Sequence, residues 1–251
     1  MKLFRLFSRL SSLAAMTSLE SAKRAAAFKA VDLHVHNNNI VGIGSGSTVI
    51  YAVERLSERV KNEKINVQCV PTSFQARQLI VQHKLPLTDL EIHPRLDVCI
   101  DGADEVDNSL TLIKGGGGCL LQEKIVASCA KELIIIADFT KNSHKLGEQY
   151  KKGIPIEVVP MAYAPIKTQI ENLYGGAVEL RMAKAKAGPV VTDNGNFILD
   201  WKNFQDYNWE EINTKLNVIP GVVETGLFVK MAKKAYFGLA DGSIKEQLAL
   251  A

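Results

Sequence analysis

Residues 40–60, IVGIGSGSTVIYAVERLSERV, read as a strand, a glycine turn and a helix in direct succession. The run 40–44 is short and rich in β-branched residues, and Val49, Val53, Leu56 and Val60 then recur at the spacing that lines one helix face. A strand feeding straight into a helix is the repeating unit of a parallel α/β layer.

The alternation continues downstream. Apolar runs at 66–70 (NVQCV), 96–101 (LDVCID), 110–114 (LTLIK) and 133–139 (LIIIADF) are expected as further strands of that layer. One intervening helix follows the Thr72-Ser73 start signal, with Ala76, Leu79, Ile80 and His83 on one face. Another runs from about Cys119 to Lys131; its packed stripe is expected to carry Leu121, Ile125 and Ser128, with Glu123 turned away. After Lys145, Gly153, Pro155, Pro160 and Pro165 break the pattern. A helix around Ile166–Leu173 follows, then strands at 177–183 and 188–201, a helix at 208–219 and an apolar strand, VVETGLFV, at 222–229. Asp193-Asn194-Gly195 is a hairpin signal of the type that supplies positive φ. The expected fold class is α/β: a Rossmann-like parallel-sheet domain over 20–145 plus 221–251, interrupted by a smaller α+β (ferredoxin-like) domain over 146–220.

Composition narrows the class further. The 251 residues are 47% hydrophobic and 23% charged, which are globular proportions, and a net charge of +3 without a clustered basic element argues against nucleic acid. No run approaches the roughly 18 apolar residues of a membrane span. Cys69, Cys99, Cys119 and Cys129 lie far apart without metal-type spacing and read as reduced, buried thiols. These features point to a cytoplasmic protein with neither nucleic-acid nor membrane partners. The stretch 1–19 carries Lys2, Arg5, Arg9, several serines and no acid, the composition of a mitochondrial presequence. The competing reading is a disordered extension before an internal start such as Met16. Residues 1–18 are set outside the fold.

Four strand-end loops hold the chemistry. In VGIGSGST (41–48) the glycines allow close backbone approach, the following helix offers N–H groups to an anion, and Ser45, Ser47 and Thr48 add hydroxyls around Gly46. Ser47 stands where the third glycine of a dinucleotide fingerprint belongs, so a small phosphate fits better than a nucleotide. DGADEVD (101–107) ends a strand with Asp101 and Asp104 placed to meet a ligand, whereas Glu105 and Asp107 read as a solvated acidic loop. In KGGGGCLLQEKI (114–125) Lys114 enters a run of glycines and Glu123 follows on a helix. A carboxylate beside an ammonium suits proton removal next to a carbonyl, because the ammonium steadies the developing oxyanion. ADFTKNSHKLG (137–147) adds Lys141 as a second cation for an anionic group. His34, His36 and His144 join no such cluster and read as structural. With no metal-ligand set, redox cysteine pair or Ser-His-Asp order, the elimination leaves cofactor-independent proton transfer on a small phosphorylated metabolite.

These segments, followed by IPIEVVPMA, VVTDNGNFILD and IPGVVETGLF, resemble type A ribose-5-phosphate isomerases in the same order, from about residue 20 onward, and look close to animal members. The resemblance implies interconversion of ribose 5-phosphate and ribulose 5-phosphate in the non-oxidative pentose phosphate pathway, without metal or nucleotide, by a homodimer or homotetramer. It further implies that Ser45, Gly46, Ser47 and Thr48, then Asp101, Gly102, Ala103 and Asp104, then Lys114, Gly115, Gly116 and Gly117, and Lys141 bind substrate. Glu123 matches the proton acceptor, with Asp101 and Lys114 beside it in catalysis. Ser45 replaces the threonine of many members and keeps the hydroxyl. A basic residue of the first helix meets the phosphate in some members; here Lys23 and Arg24 are both available. A non-catalytic sugar-phosphate sensor is the rival reading, but it has no need of the Lys114/Glu123 pair, and no helix-turn-helix segment precedes the domain. A dehydrogenase is the weaker rival, because of the broken fingerprint.

Overall fold

Strand β1 (Asn39–Ile43) pairs in parallel with β2 (Val67–Pro71) on one side and β3 (Val98–Asp101) on the other. A computed structural model of the chain describes residues 2–249, with side chains from residue 18 onward. β3 continues in parallel to β6 (Leu133–Asp138), and β6 to β12 (Ala232–Gly238), with β13 (Ile244–Leu248) antiparallel at the edge. The spatial order is β13-β12-β6-β3-β1-β2. Every residue of β6 is buried, because both sheet faces are covered, which is why this strand reads as an unbroken apolar run rather than an alternating one. Ile134 and Ile136 pack with α1 (Lys2–His34) and α2 (Ser47–Asn62) on one face, together with the face of α3 (Phe74–Gln82) that carries Ala76 and Ile80. Leu133, Ile135 and Ala137 pack with Val126 and Ala127 of α4 (Leu120–Ser128) on the other. The presequence reading concerns side chains that, up to residue 17, lie outside the described residues. Among the described residues, no helix is long and apolar enough to cross a membrane.

Three expectations need correction. The run 110–114 is not a strand of the parallel layer: β5 (Leu112–Ile113) joins β4 (Glu105–Val106) and β11 (Leu227–Phe228) in a small antiparallel sheet. The run 222–229 is two strands, since β10 (Val222–Thr225) pairs with β7 (Ile154–Val158) in the inserted sheet and β11 leaves it. Gly226 makes this crossing possible: its N–H donates to the Pro155 carbonyl at 2.6 Å, its carbonyl accepts from Lys114 N at 2.9 Å, and a Cβ there would meet the Lys114 carbonyl at 2.3 Å. Thirdly, the α4 stripe is reversed. Leu120, Glu123, Val126 and Ala127 face inward, whereas Ile125 and Ser128 are exposed and Leu121 is half-buried. The helix is apolar on both sides, so spacing alone did not choose between its faces.

The inserted unit is an antiparallel sheet of order β10-β7-β9-β8, with β8 at Ala177–Leu180 and β9 at Phe197–Lys202, packed on α5 (Tyr163–Tyr174) and α6 (Trp209–Asn217). Its core gathers around the fully buried Trp201. The Asp193-Asn194-Gly195 turn forms as expected, with Gly195 at φ 78°, and a buried carboxylate pins it: Glu157 accepts from Thr192 Oγ1 at 2.8 Å and Asn196 Nδ2 at 2.9 Å. All four cysteines are free; Cys69 and Cys99 are buried, Cys119 and Cys129 half-buried.

Candidate active site

Four strands of the main sheet, β1, β2, β3 and β6, open their carboxyl ends into one cleft of about 580 Å³. Open α/β sheets gather ligands at this edge, beside the point where strand order reverses. The first rim is the turn from β1 into α2. Gly46, at φ 101°, precedes the helix and offers no side-chain cap, so the first-turn N–H groups of α2 keep their capacity for an anion. Gly46 N itself donates to Gln75 Oε1 at 2.8 Å. Ser45 Oγ lies 2.9 Å from Thr72 Oγ1 and 2.6 Å from Ser73 Oγ, which makes a hydroxyl cluster against the Ser47-Thr48 end of the cleft.

Asp101 ends β3 and is fully buried. Its Oδ1 accepts from Ser45 N at 3.0 Å and Gly102 N at 2.7 Å, so the carboxylate ties the two loops together. Gly44 must be glycine for this contact, since a Cβ would lie 2.1 Å from Asp101 Oδ1 and 2.6 Å from its Cα. Lys114, 2% exposed, lines the cleft. Its Nζ donates to the Gly102 carbonyl at 2.6 Å and stands 3.0 Å from Asp101 Oδ2 and 3.4 Å from Glu123 Oε2. The last two are ion-pair distances without hydrogen-bond geometry, so both carboxylate oxygens stay without a hydrogen-bond partner.

The charge arithmetic of this corner sets its proton affinities. Burial, aided by the Asp101 carboxylate and opposed by Lys114, pushes the Glu123 carboxyl up to about 8. Burial works against the Lys114 ammonium too, but Asp101 and Glu123 outweigh it and hold its proton more tightly than usual. Burial likewise pushes the Cys119 thiol up to about 12, with Glu123 adding to the effect, so this sulfur at the start of α4 stays a thiol.

Asp104 Oδ2 accepts from Gly116 N at 2.7 Å and binds the glycine loop to the β3 loop. Gly102, Ala103, Asp104, Gly115 and Gly117 line the cleft; Asp101 and Gly116 stand just behind its surface. Lys141 enters from the end of β6, beside Asp138 and Thr140. Lys23 of α1 also lines the cleft, paired with Glu20 at 2.8 Å, while Arg24 is drawn away by Glu54 at 2.9 Å. All the residues expected from sequence therefore converge. Glu105 and Asp107 are the correction: both are buried rather than solvated. Glu105 accepts from Ser143 Oγ at 2.7 Å and Gln149 N at 2.6 Å, and Asp107 from Ser109 N and Thr111 N at 2.8 Å. Their role is to fix loops. His34 is structural as read, set between Tyr236 Oη at 2.8 Å and Glu132 Oε2 at 3.3 Å.

Several lining residues escaped the sequence reading. Phe74, Gln75 and Asp193 line the cleft, with Asp193 Oδ2 accepting from Phe74 N at 2.9 Å. The segment after β2 carried the signal that would have found its part, because it too is a strand end at the carboxyl edge. Asp193 comes from the inserted unit, and no local pattern brings it here.

The chain is similar to known proteins over most of its length. Residues 68–242 match the family model described as ribose 5-phosphate isomerase A (phosphoriboisomerase A). The ribose-5-phosphate isomerases of Sus scrofa and Homo sapiens are each 61% identical over 91% of this chain, covering 75% and 74% of their own lengths. A solved D-ribose-5-phosphate isomerase in complex with phospho-erythronic acid superposes with a TM-score of 0.87 at 38% identity, covering 92% of this chain and 99% of that one. The isomerase A of Methanocaldococcus jannaschii gives 0.84 at 40% identity over 90% and 97%. The chain belongs to the type A ribose-5-phosphate isomerase family and is an isomerase.

Proposed function

We propose that the protein interconverts D-ribose 5-phosphate and D-ribulose 5-phosphate through a cis-enediolate, with Glu123 as the base, in the non-oxidative pentose phosphate pathway. The observation that carries this reading is the Glu123 carboxyl: buried, 3.4 Å from Lys114 Nζ, with Oε2 unpartnered and its proton affinity raised into the neutral range. A general base works best when its pKa lies near the operating pH.

The phosphate sits against the α2 N-terminus, Ser45, Ser47 and Thr48, with Lys141 and Lys23 supplying charge. Asp101 or Asp104 assists opening of the furanose ring to the C1 aldehyde. Glu123 takes the C2 proton, the C–H electron pair forms the C1=C2 double bond, and the carbonyl pair moves onto O1. Lys114 and the N–H groups of the glycine loop stabilise that charge. The O2 hydroxyl proton passes to O1, C2=O forms, and Glu123 returns its proton to C1. The solved relative bound to phospho-erythronic acid supports this reading, because a carboxylate shares the planar, two-oxygen end of an enediolate.

Incubation with ribose 5-phosphate in EDTA, without nicotinamide, is expected to yield ketose. Glu123→Gln is expected to lower kcat by at least about 10²-fold while leaving substrate binding measurable. A variant with near-full turnover sinks the assignment of the base.

A further inference from the structure

The glycine loop that lines the reacting corner cannot set its own shape. Gly115 and Gly118 lie at φ 100° and 82°, in a stretch where positive and negative φ cost nearly the same. Its peptide planes therefore need an external hold. Gly118 N donates to the Gly115 carbonyl at 2.9 Å and Gly116 N to Asp104 Oδ2 at 2.7 Å. On the other side, Arg181 Nη1 donates to the Gly115 carbonyl at 2.8 Å and approaches the Gly116 carbonyl at 3.4 Å. Arg181 follows β8 in the inserted unit, 66 residues from Gly115 in sequence.

The guanidinium is itself locked. Asp200 of β9 takes Nε at 2.8 Å and Nη2 at 2.5 Å, a two-pronged pairing that fixes the plane of the fork. The two side chains are only 15% and 12% exposed, unlike the loosely held pairs of the surface. Tyr150 backs the same loop, since a Cβ on Gly116 would fall 2.7 Å from its hydroxyl and 2.4 Å from Asp104 Oδ1. Two successive carbonyls are thus drawn toward the insertion, and the intervening N–H is left for Asp104. A flipped peptide would turn the negative end of its dipole toward the reacting atoms, where charge develops.

We propose that Arg181, locked by Asp200, is a positioning residue for the isomerisation: it holds the Gly115 and Gly116 carbonyls off the cleft so that the loop offers N–H groups and a fixed Asp104 to the substrate. The inference rests on the reading of proton transfer at Glu123 and Lys114. It makes the inserted unit a working part of the reacting corner.

The test uses the full chain and three forms: Arg181→Met with Asp200→Asn, which removes both charges together, Arg181→Lys, and Glu123→Gln as a control. For each, kcat and KM for ribose 5-phosphate, the inhibition constant of phospho-erythronic acid and the Kd of inorganic phosphate are measured. The double variant is expected to lose about 10–100-fold in kcat, the scale of a small misplacement of catalytic groups. It is expected to weaken phospho-erythronic acid inhibition similarly and to bind inorganic phosphate as the parent does, since the phosphate loop is untouched. Arg181→Lys keeps the charge but not the fork and is expected to fall between. Parent-like kcat in the double variant overturns the proposal, as does a loss of phosphate affinity in step with kcat, which marks general damage; if the double variant does not fold, Arg181→Lys is judged by the same two outcomes. An inactive Glu123→Gln beside a fully active double variant sinks this inference alone, whereas an active Glu123→Gln sinks the underlying base assignment.

Discussion

Glu123→Gln is expected to make the protein more stable at alkaline pH even as it removes activity. Glu123 is 4% exposed, and its carboxyl is raised from an ordinary 4.5 to about 8. The folded state therefore binds this proton more tightly than the unfolded chain does. The stability that follows is fully present below about pH 4.5 and is lost as pH rises toward 8. At about 1.4 kcal/mol for each tenfold change in proton affinity, the wild type gives up about 3–5 kcal/mol by pH 8.5. Glutamine keeps the shape and has no proton to lose, and Lys114 retains Asp101 as its counter-charge at 3.0 Å. Urea unfolding at pH 5 and pH 8.5, at matched ionic strength, reads the difference. Near-equal midpoints are expected at pH 5, and the variant's midpoint is expected to be higher by at least about 1 M at pH 8.5, with the slope unchanged. A variant less stable than the parent by the same margin at both pH values refutes the reasoning, because Lys114 would then compensate the buried carboxylate in full.

Two further outcomes follow from the same corner. The kcat/KM for ribose 5-phosphate is expected to climb with an acid limb centred near 8 as free Glu123 loses its proton; a flat profile from about pH 6 to 9 assigns the base elsewhere. Gly44→Ala is expected to cost about 3 kcal/mol or more in denaturant titrations, above ordinary overpacking, since its Cβ meets the Asp101 backbone as well as its carboxylate; a near-neutral result shows that the β1 and β3 loops can separate freely.

The layer and the site were legible in the sequence to different depths. Strands such as 133–138 declared themselves because burial on both faces enforces a continuous apolar run, and the loops carried their own glycine and carboxylate signals. The face of α4 did not, because Leu120, Leu121, Ile125 and Val126 make it apolar all round, and a glutamate inside the buried stripe runs against every averaging rule. The strand at 112–113 was misplaced for a related reason: hydrophobicity marks burial, and the partner that decides which sheet receives a strand, here β11, is remote in sequence. Glu105 shows the converse, a carboxylate whose burial is made possible only by donors from residues 143–150. Arg181 and Asp193 belong to the same class, since Arg181 reaches the glycine loop and Asp193 the cleft from another sheet or its turn.

The crossing at Gly226 has a mechanical consequence. One residue carries both the tether to Pro155 in the insertion and the amide bond that seats Lys114, with atoms packed too closely for any side chain. Swinging the inserted sheet outward like a visor would pull on the backbone of Lys114 in the cleft. The insertion and the Lys114 segment are thus geared together at one residue.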